Sequence, residues 1–298
     1  MSVTSSSPQP DTNKASAKAP GIREIKIAHS PDSDDAFMFY GLATNKVRVN
    51  GFKFSHTLCD IETLNRQAIS SPLYDVTAIS FHAYPYLQEN YAIMSCGGSV
   101  GEGYGPMVVA NRKIKPADLA KIRVAVPGEL TTAYLTLKLF CPEVETTTVP
   151  FDKIIPEIVA GNFDAGLIIH EGQLTYGTNG LQKVIDLGVW WRETTGLPLP
   201  LGGNAIRRSL GPETMLTVTQ ALRESIQHGL DHRDEALAYA MQFARDLDTA
   251  LANRFVSMYV NERTLSYGED GKVAIRKLLE MGHERGIIPM ASKVDFIG

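Results

Sequence analysis

Cysteine is scarce. Only Cys59, Cys96 and Cys141 occur in 298 residues, and no two share a C-x-x-C spacing. That excludes a zinc ribbon or a disulfide framework and leaves reduced thiols as the expectation. An excess of positive charge is missing too: the formal net charge is -4 and no stripe of Lys and Arg occurs. A nucleic-acid surface needs clustered cations to displace counterions, so no nucleic-acid partner is expected. No run approaches the ~18 apolar residues that cross a bilayer, so no membrane span is expected either. The segment from Cys96 to Pro106 is rich in glycine, yet it lacks G-x-x-x-x-G-K-[ST] and no helix pattern follows it. It fits a close turn or a ligand-facing loop better than a nucleotide site.

What is present points to a globular α/β chain. Hydrophobic residues make up 44% and charged residues 21%, a composition that can bury a core. The length leaves room for two domains. Residues 1–21 are rich in Ser, Ala, Pro and Lys and read as a disordered leader. They lack the apolar stretch of ~7–15 residues of a secretory signal, which favours a cytoplasmic enzyme over an exported binding protein.

A first strand is expected at 22–28, followed by His29-Ser30-Pro31-Asp32-Ser33-Asp34-Asp35 and an apolar helix. Asp before a helix caps free N–H groups, and this is a simpler reading of Asp32, Asp34 and Asp35 than a metal site. No metal or cofactor is expected. Ser30, at the strand-to-helix junction, is placed to touch a ligand. A strand over 47–58 and a helix over 61–69 come next, then a short apolar strand that ends at Ser80-Phe81-His82. The strand 122–126 leads through Gly128 to Thr131 and Thr132 at a helix start. Unpaired first-turn N–H groups and the helix dipole favour an anion there, and simple capping by either Thr uses the same geometry.

Asn162 to Tyr176 runs from a polar turn through a short apolar strand into His170, Glu171, Gln173 and Tyr176. Such a run reads as a strand buried on both faces, and ligands in open α/β sheets bind beyond the carboxyl ends of those strands. Imidazole titrates near neutral pH, so His170 is a candidate general base in a cleft. The segments Leu64 to His82 and Ile154 to His170 echo each other: helix, turn, Asp, apolar strand, His. Two facing α/β lobes account for the echo. Trp190 and Trp191 read as core. Gly196 to Asn204 is an extended crossing between lobes, and from Pro212 onward (213–230, 235–251, 252–260, 273–285) the spacing is helical, buttressing the first lobe without a catalytic constellation.

Four motifs carry a family resemblance: His29-Ser30-Pro31-Asp32-Ser33-Asp34-Asp35-Ala36-Phe37, Ile168-Ile169-His170-Glu171-Gly172-Gln173, Gly196 to Gly203, and Tyr259-Val260-Asn261-Glu262. The chain resembles the menaquinone-biosynthesis family that holds 1,4-dihydroxy-6-naphthoate synthase and its sister chorismate dehydratase. The resemblance implies a two-lobed α/β fold of the type II periplasmic-binding-protein kind, with a ligand cleft between lobes. It places the larger lobe at 22–106 plus 205–298 and the smaller at 107–204. It implies cleavage of cyclic dehypoxanthine futalosine, an anionic small molecule, with His170 as proton acceptor. Ser80, Phe81, His82, Thr131 and Thr132 match the family's ligand loops. Better-known synthases carry Ser-Pro-Cys-Pro-Asn-Asp-Thr-Phe where this chain has Ser30 to Phe37, so acids replace a Cys and an Asn here. A non-catalytic small-anion binding protein and the sister dehydratase are the alternatives.

Overall fold

Two sheets organise the chain, and short runs of buried apolar residues build both. The computed structural model describes residues 21–243 and 248–298. The leader expected at 1–21 therefore lies, apart from Gly21, outside the described residues. The strands are β1 (Arg23–His29), β2 (Phe52–Leu58), β3 (Val76–Ser80), β4 (Tyr91–Met94), β5 (Ser99–Gly101), β6 (Met107–Ala110), β7 (Arg123–Val126), β8 (Glu145–Thr148), β9 (Ala165–Ile168), β10 (Gln182–Asp186), β11 (Leu199–Arg207) and β12 (Phe296–Ile297).

The larger sheet runs β12-β4-β11-β3-β1-β2, with β5 added to β11, and the smaller runs β10-β6-β9-β7-β8. In the larger sheet β1 pairs parallel with β2 and β3, and β11 lies antiparallel to β3, β4 and β5. In the smaller, β7 is parallel to β8 and β9 while β6 is antiparallel to β9 and β10. The carboxyl ends of β1, β3, β7 and β9 carry the segments that meet in the cleft.

The helix Ser33–Ala43 is buried along most of its length between the larger sheet and the helices Pro212–Asp231 and Arg233–Ala240. Its Phe37, Met38 and Phe39 are almost fully buried, each contributing roughly 1.5–3 kcal/mol of hydrophobic stabilisation. The smaller lobe has its own core around Val108, Val124, Leu137 and Leu167.

Local chemistry moved several expected boundaries. The strand expected from residue 47 starts only at Phe52, because Phe52 N–H closes a turn onto Val49 at 3.1 Å and Gly51 takes φ 82. Trp190 and Trp191 lie on the helix Leu187–Thr195; Trp191 is fully buried and its Nε1–H donates to Pro198 O at 3.0 Å. Gly196 to Asn204 is more than a crossing, since from Leu199 it enters the larger sheet as β11. The helix expected over 235–251 is seen as Arg233–Ala240 and the start of Thr249–Tyr259, with 244–247 outside the described residues. Among the described residues no helix is long and apolar enough to cross a membrane.

Candidate active site

The strand ends and loops of the two lobes enclose a cavity of about 110 Å³. Ser30, Ser80, Thr131, Thr132 and His170, all singled out in the sequence, line it. They arrive from four turns, Thr131 and Thr132 sharing one. Ser30 follows β1, and its N–H donates to Asp35 Oδ2 at 2.8 Å. Ser80 ends β3, where Asn65 both donates to its Oγ at 3.1 Å and accepts from its N–H at 2.9 Å. Thr131 caps the helix Thr132–Phe140 by accepting from Tyr134 N–H at 3.2 Å. Capping and cavity lining thus coincide at this helix start.

Phe81 and His82 lie elsewhere. After Ser80 a tight turn carries Phe81 into the core against Tyr267. The His82 ring stacks on Tyr134, with Nδ1 3.3 Å from Thr131 O. Burial lowers the His82 pKa to about 4, so the ring is neutral at pH 7. Its backbone N–H still reaches Thr132 Oγ1 at 3.3 Å, joining the lobes beside the cavity.

His170 follows β9 with φ 52, in the left-handed region that residues other than Gly adopt uncommonly, Asn, Asp and His more often than the rest. Such strain persists only where surrounding contacts hold it, often at functional positions. The ring packs edge-on against Phe151 at 5.0 Å between centroids. Nδ1 sits 3.3 Å from Asp32 Oδ2, while Nε2 is buried without a hydrogen-bond partner among the described residues.

Asp32 corrects the capping reading. It occupies the N-cap position of Ser33–Ala43 with extended φ and ψ, yet its side chain makes no capping bond. Instead it accepts from Ser30 Oγ and faces His170 across the cleft. Asp34, Asp35 and Glu171 crowd the same corner. Burial first, then repulsion from Asp35, Asp32 and Glu171, pushes the Asp34 carboxyl well above the carboxylate range. Burial and Asp32 push Asp35 up to about 7, against the pull of the Ser30 N–H and His170. Asp35 is therefore only partly ionised at neutral pH. Among the described residues no group of three or more His, Cys, Asp or Glu is arranged to hold a metal ion.

The helical C-terminal part contributes directly, which spacing alone did not suggest. Phe255 and Tyr259 line the cavity, and Tyr259 OH donates to Gln173 Oε1 at 2.9 Å. Both partners are buried and belong to different lobes. The sequence signals for this contact were Gln173 at the end of the second family motif and Tyr259 at the head of the fourth, and nothing in the sequence paired them. Glycines bring backbone close to the cavity as well: Gly97, Gly202 and Gly203 line it, and a Cβ on Gly97 would lie 2.6 Å from Asn204 Nδ2.

A cleft between two α/β lobes, crossed by the contact between Asp32 and His170, defines a binding-protein architecture with ionisable groups at its cavity wall. The fold is that of periplasmic binding proteins: the alkanesulfonate-binding protein SsuA of Xanthomonas axonopodis pv. citri superposes with TM-score 0.68 at 11% identity, over 94% of this chain and 98% of that one. The family model described as "Menaquinone biosynthesis" matches residues 25–284, and the chain belongs to that family. It is 38% identical to the 1,4-dihydroxy-6-naphtoate synthase of Thermus thermophilus over 276 residues, 93% of this chain and 100% of the relative. Protein AF1704 from Archaeoglobus fulgidus superposes with TM-score 0.85 at 49% identity, over 89% of this chain and 98% of that one.

Proposed function

We propose that this chain is a lyase of menaquinone biosynthesis of the 1,4-dihydroxy-6-naphthoate synthase type, cleaving cyclic dehypoxanthine futalosine with His170 as general base. The observation that carries the role of His170 is its arrangement at the cavity wall: Nδ1 is engaged by Asp32 and Nε2 is left without a partner among the described residues. In this reading Nε2 takes a proton from the substrate, leaving the electron pair to drive carbon–carbon cleavage. The anionic group of the substrate lies at Thr131 and Thr132, where first-turn N–H groups and the helix dipole favour negative charge. Ser30 and Ser80 supply hydroxyls to the polar part of the ligand. Phe81 and His82 act indirectly, through core packing and the His82 N–H to Thr132 contact. A positioned base supplies ~10²–10⁴-fold in rate, so orientation within the shut cleft has to supply much of the rest.

The same reading takes residues 22–106 with 205–298 and 107–204 as the units that close. All strands of the smaller sheet fall between Met107 and Asp186, although β11 already joins the larger sheet at Leu199. It also places the enzyme in the cytoplasm, in keeping with three unpaired cysteines. Incubating the purified protein with cyclic dehypoxanthine futalosine, with naphthoate followed by mass, is the direct test. Absence of product between weakly acidic and weakly alkaline pH would end the assignment. The variant His170→Asn should lose roughly 10²–10⁴-fold in turnover while still binding substrate. A non-catalytic binding protein would show no turnover in either form.

A further inference from the structure

Asp32 stands where an aspartate ordinarily serves its own helix. The Ser33–Ala43 helix begins immediately after it, and its φ of -112 and ψ of 158 are those of a capping residue. A capping bond would satisfy a free N–H at little cost. The carboxylate instead turns away, is 1% exposed, and leaves Oδ1 buried with no partner among the described residues. Burying a carboxylate with so few donors is unfavourable. Its remaining contacts are the Ser30 hydroxyl and, from the opposite lobe, Nδ1 of His170 at 3.3 Å.

We infer that Asp32 is the positioning residue of a cross-cleft dyad, fixing the His170 imidazole as a base only while the two lobes are shut. The inference rests on the assignment of His170 as base. With Nδ1–H donated to the Asp32 carboxylate, the neutral ring carries its lone pair on Nε2, the tautomer that can accept a proton. When Nε2 takes a proton from the substrate carbon, the C–H electron pair stays with the substrate. The ring becomes imidazolium, and the nearby carboxylate stabilises that charge without itself taking the proton. The two partners sit on different lobes, so an open cleft would separate them. Base strength is thereby tied to closure, and deprotonation is suppressed until substrate is enclosed.

Other charges face the pair. Asp34 and Asp35 approach from the start of the same helix and Glu171 from the turn that bears His170, while Tyr259, from the last cleft helix, lies within reach of Asp34. All three carboxyls would favour imidazolium when ionised, so a changed pH profile must be traced to Asp32 by substitution.

The test is a double-mutant cycle on the full chain with D32N, H170N and the pair combined, reading kcat and KM across pH. Asparagine keeps the shape and removes the charge. D32N should hold KM within about 3-fold and lower kcat by roughly 10²–10⁴-fold. The acidic limb of kcat/KM should move to lower pH, since a lone imidazole loses its proton more readily. In the H170N background D32N should add nothing. Proton NMR of the His170 ring, assigned by its loss in H170N, supplies a readout independent of turnover: D32N should shift its titration to lower pH. Asp32→Glu, which keeps the charge on a longer arm, should recover part of that shift. D32N with kcat within about 3-fold of the parent, an equal loss in both backgrounds, or an unmoved NMR titration would each overturn the dyad. If D32N is silent while H170N is inactive, only the dyad falls; full turnover in H170N would remove the general base and the dyad with it.

Discussion

The bond from Tyr259 OH to Gln173 Oε1 offers a direct measure of closure. It is 2.9 Å long, both side chains are at least nine-tenths buried, and it joins the helix Thr249–Tyr259 to the turn after β9 in the other lobe. Tyr259→Phe keeps the ring packing against Phe255 and Tyr104 and removes only the hydroxyl. A neutral hydrogen bond is worth about 0.5–1.5 kcal/mol net, and a buried acceptor left without a donor costs about 1–3 kcal/mol. An opened cleft returns Gln173 to water, so that penalty falls on the shut form alone. The shut form should therefore lose about 1–2 kcal/mol relative to the open one, a factor of about 5–30 in the closing equilibrium. Because substrate binding draws on closure, KM should rise by a similar factor. Each lobe keeps its core, so the thermal midpoint should barely move. Steady-state kinetics beside calorimetry decides the matter. A lowered melting temperature with KM unchanged would refute the reasoning, because it would make the bond a fixed part of the fold rather than a latch.

Asp35 makes a pH prediction whose sign follows from its raised pKa. Between the ordinary carboxylate value near 3.8 and about 7 the folded protein holds a proton that the unfolded chain has released, so Asp35 adds stability as pH falls through that window. His29, lowered to about 3, and His56 and His82, lowered to about 4, act oppositely: their contribution is complete above 6.5 and is lost as pH falls toward 4. Asp35→Asn should thus raise the melting temperature at pH 8 and steepen the acid loss below pH 7; parallel wild-type and variant profiles would contradict this. Gly98→Ala tests the loop beside the cavity. Its Cβ would lie 2.1 Å from Cε1 of the fully buried Tyr267. Overpacking of that kind costs about 1–3 kcal/mol, or roughly 2–12 °C in melting temperature for a chain of this size, and an unchanged midpoint would be the contrary result.

Much of the fold was legible because its signals are local. Four- and five-residue apolar runs marked β3, β7 and β9, helical spacing marked the helix that begins at Ile61, and a capping threonine marked the one that begins at Thr132. The cavity wall was legible where a strand end carries its residue straight to the cleft, as at Ser30 and Ser80, or where a helix start does so, as at Thr131. Asp32 was read as a cap because its local sequence is a good one, and only a contact from residue 170 overrides it. Tyr259 was hidden for a similar reason: helical spacing marks which face is apolar, but cannot tell a core from a cleft wall. Both omissions are contacts between segments more than 80 residues apart, which no local pattern encodes.

The two echoing segments make the same point from within one chain. Each ends an apolar strand and carries a histidine shortly after, yet the two rings have opposite settings. At His82 the backbone continues as a tight right-handed turn into Tyr84–Leu87, tucking the ring behind the cavity against Tyr134. At His170 a left-handed residue reverses the chain before Gly172–Thr175 and presents the ring to the cavity instead. Burial keeps the first neutral down to about pH 4, which suits a packing role and disqualifies it as a base whose conjugate acid must be tolerated. The second has a carboxylate beside it, which tolerates that positive charge. The difference lies in one backbone conformation and one charge from across the cleft. The position of a histidine after a strand therefore does not by itself set its surroundings: one ring packs behind the cavity against Tyr134 and the other meets Asp32 at the cavity wall.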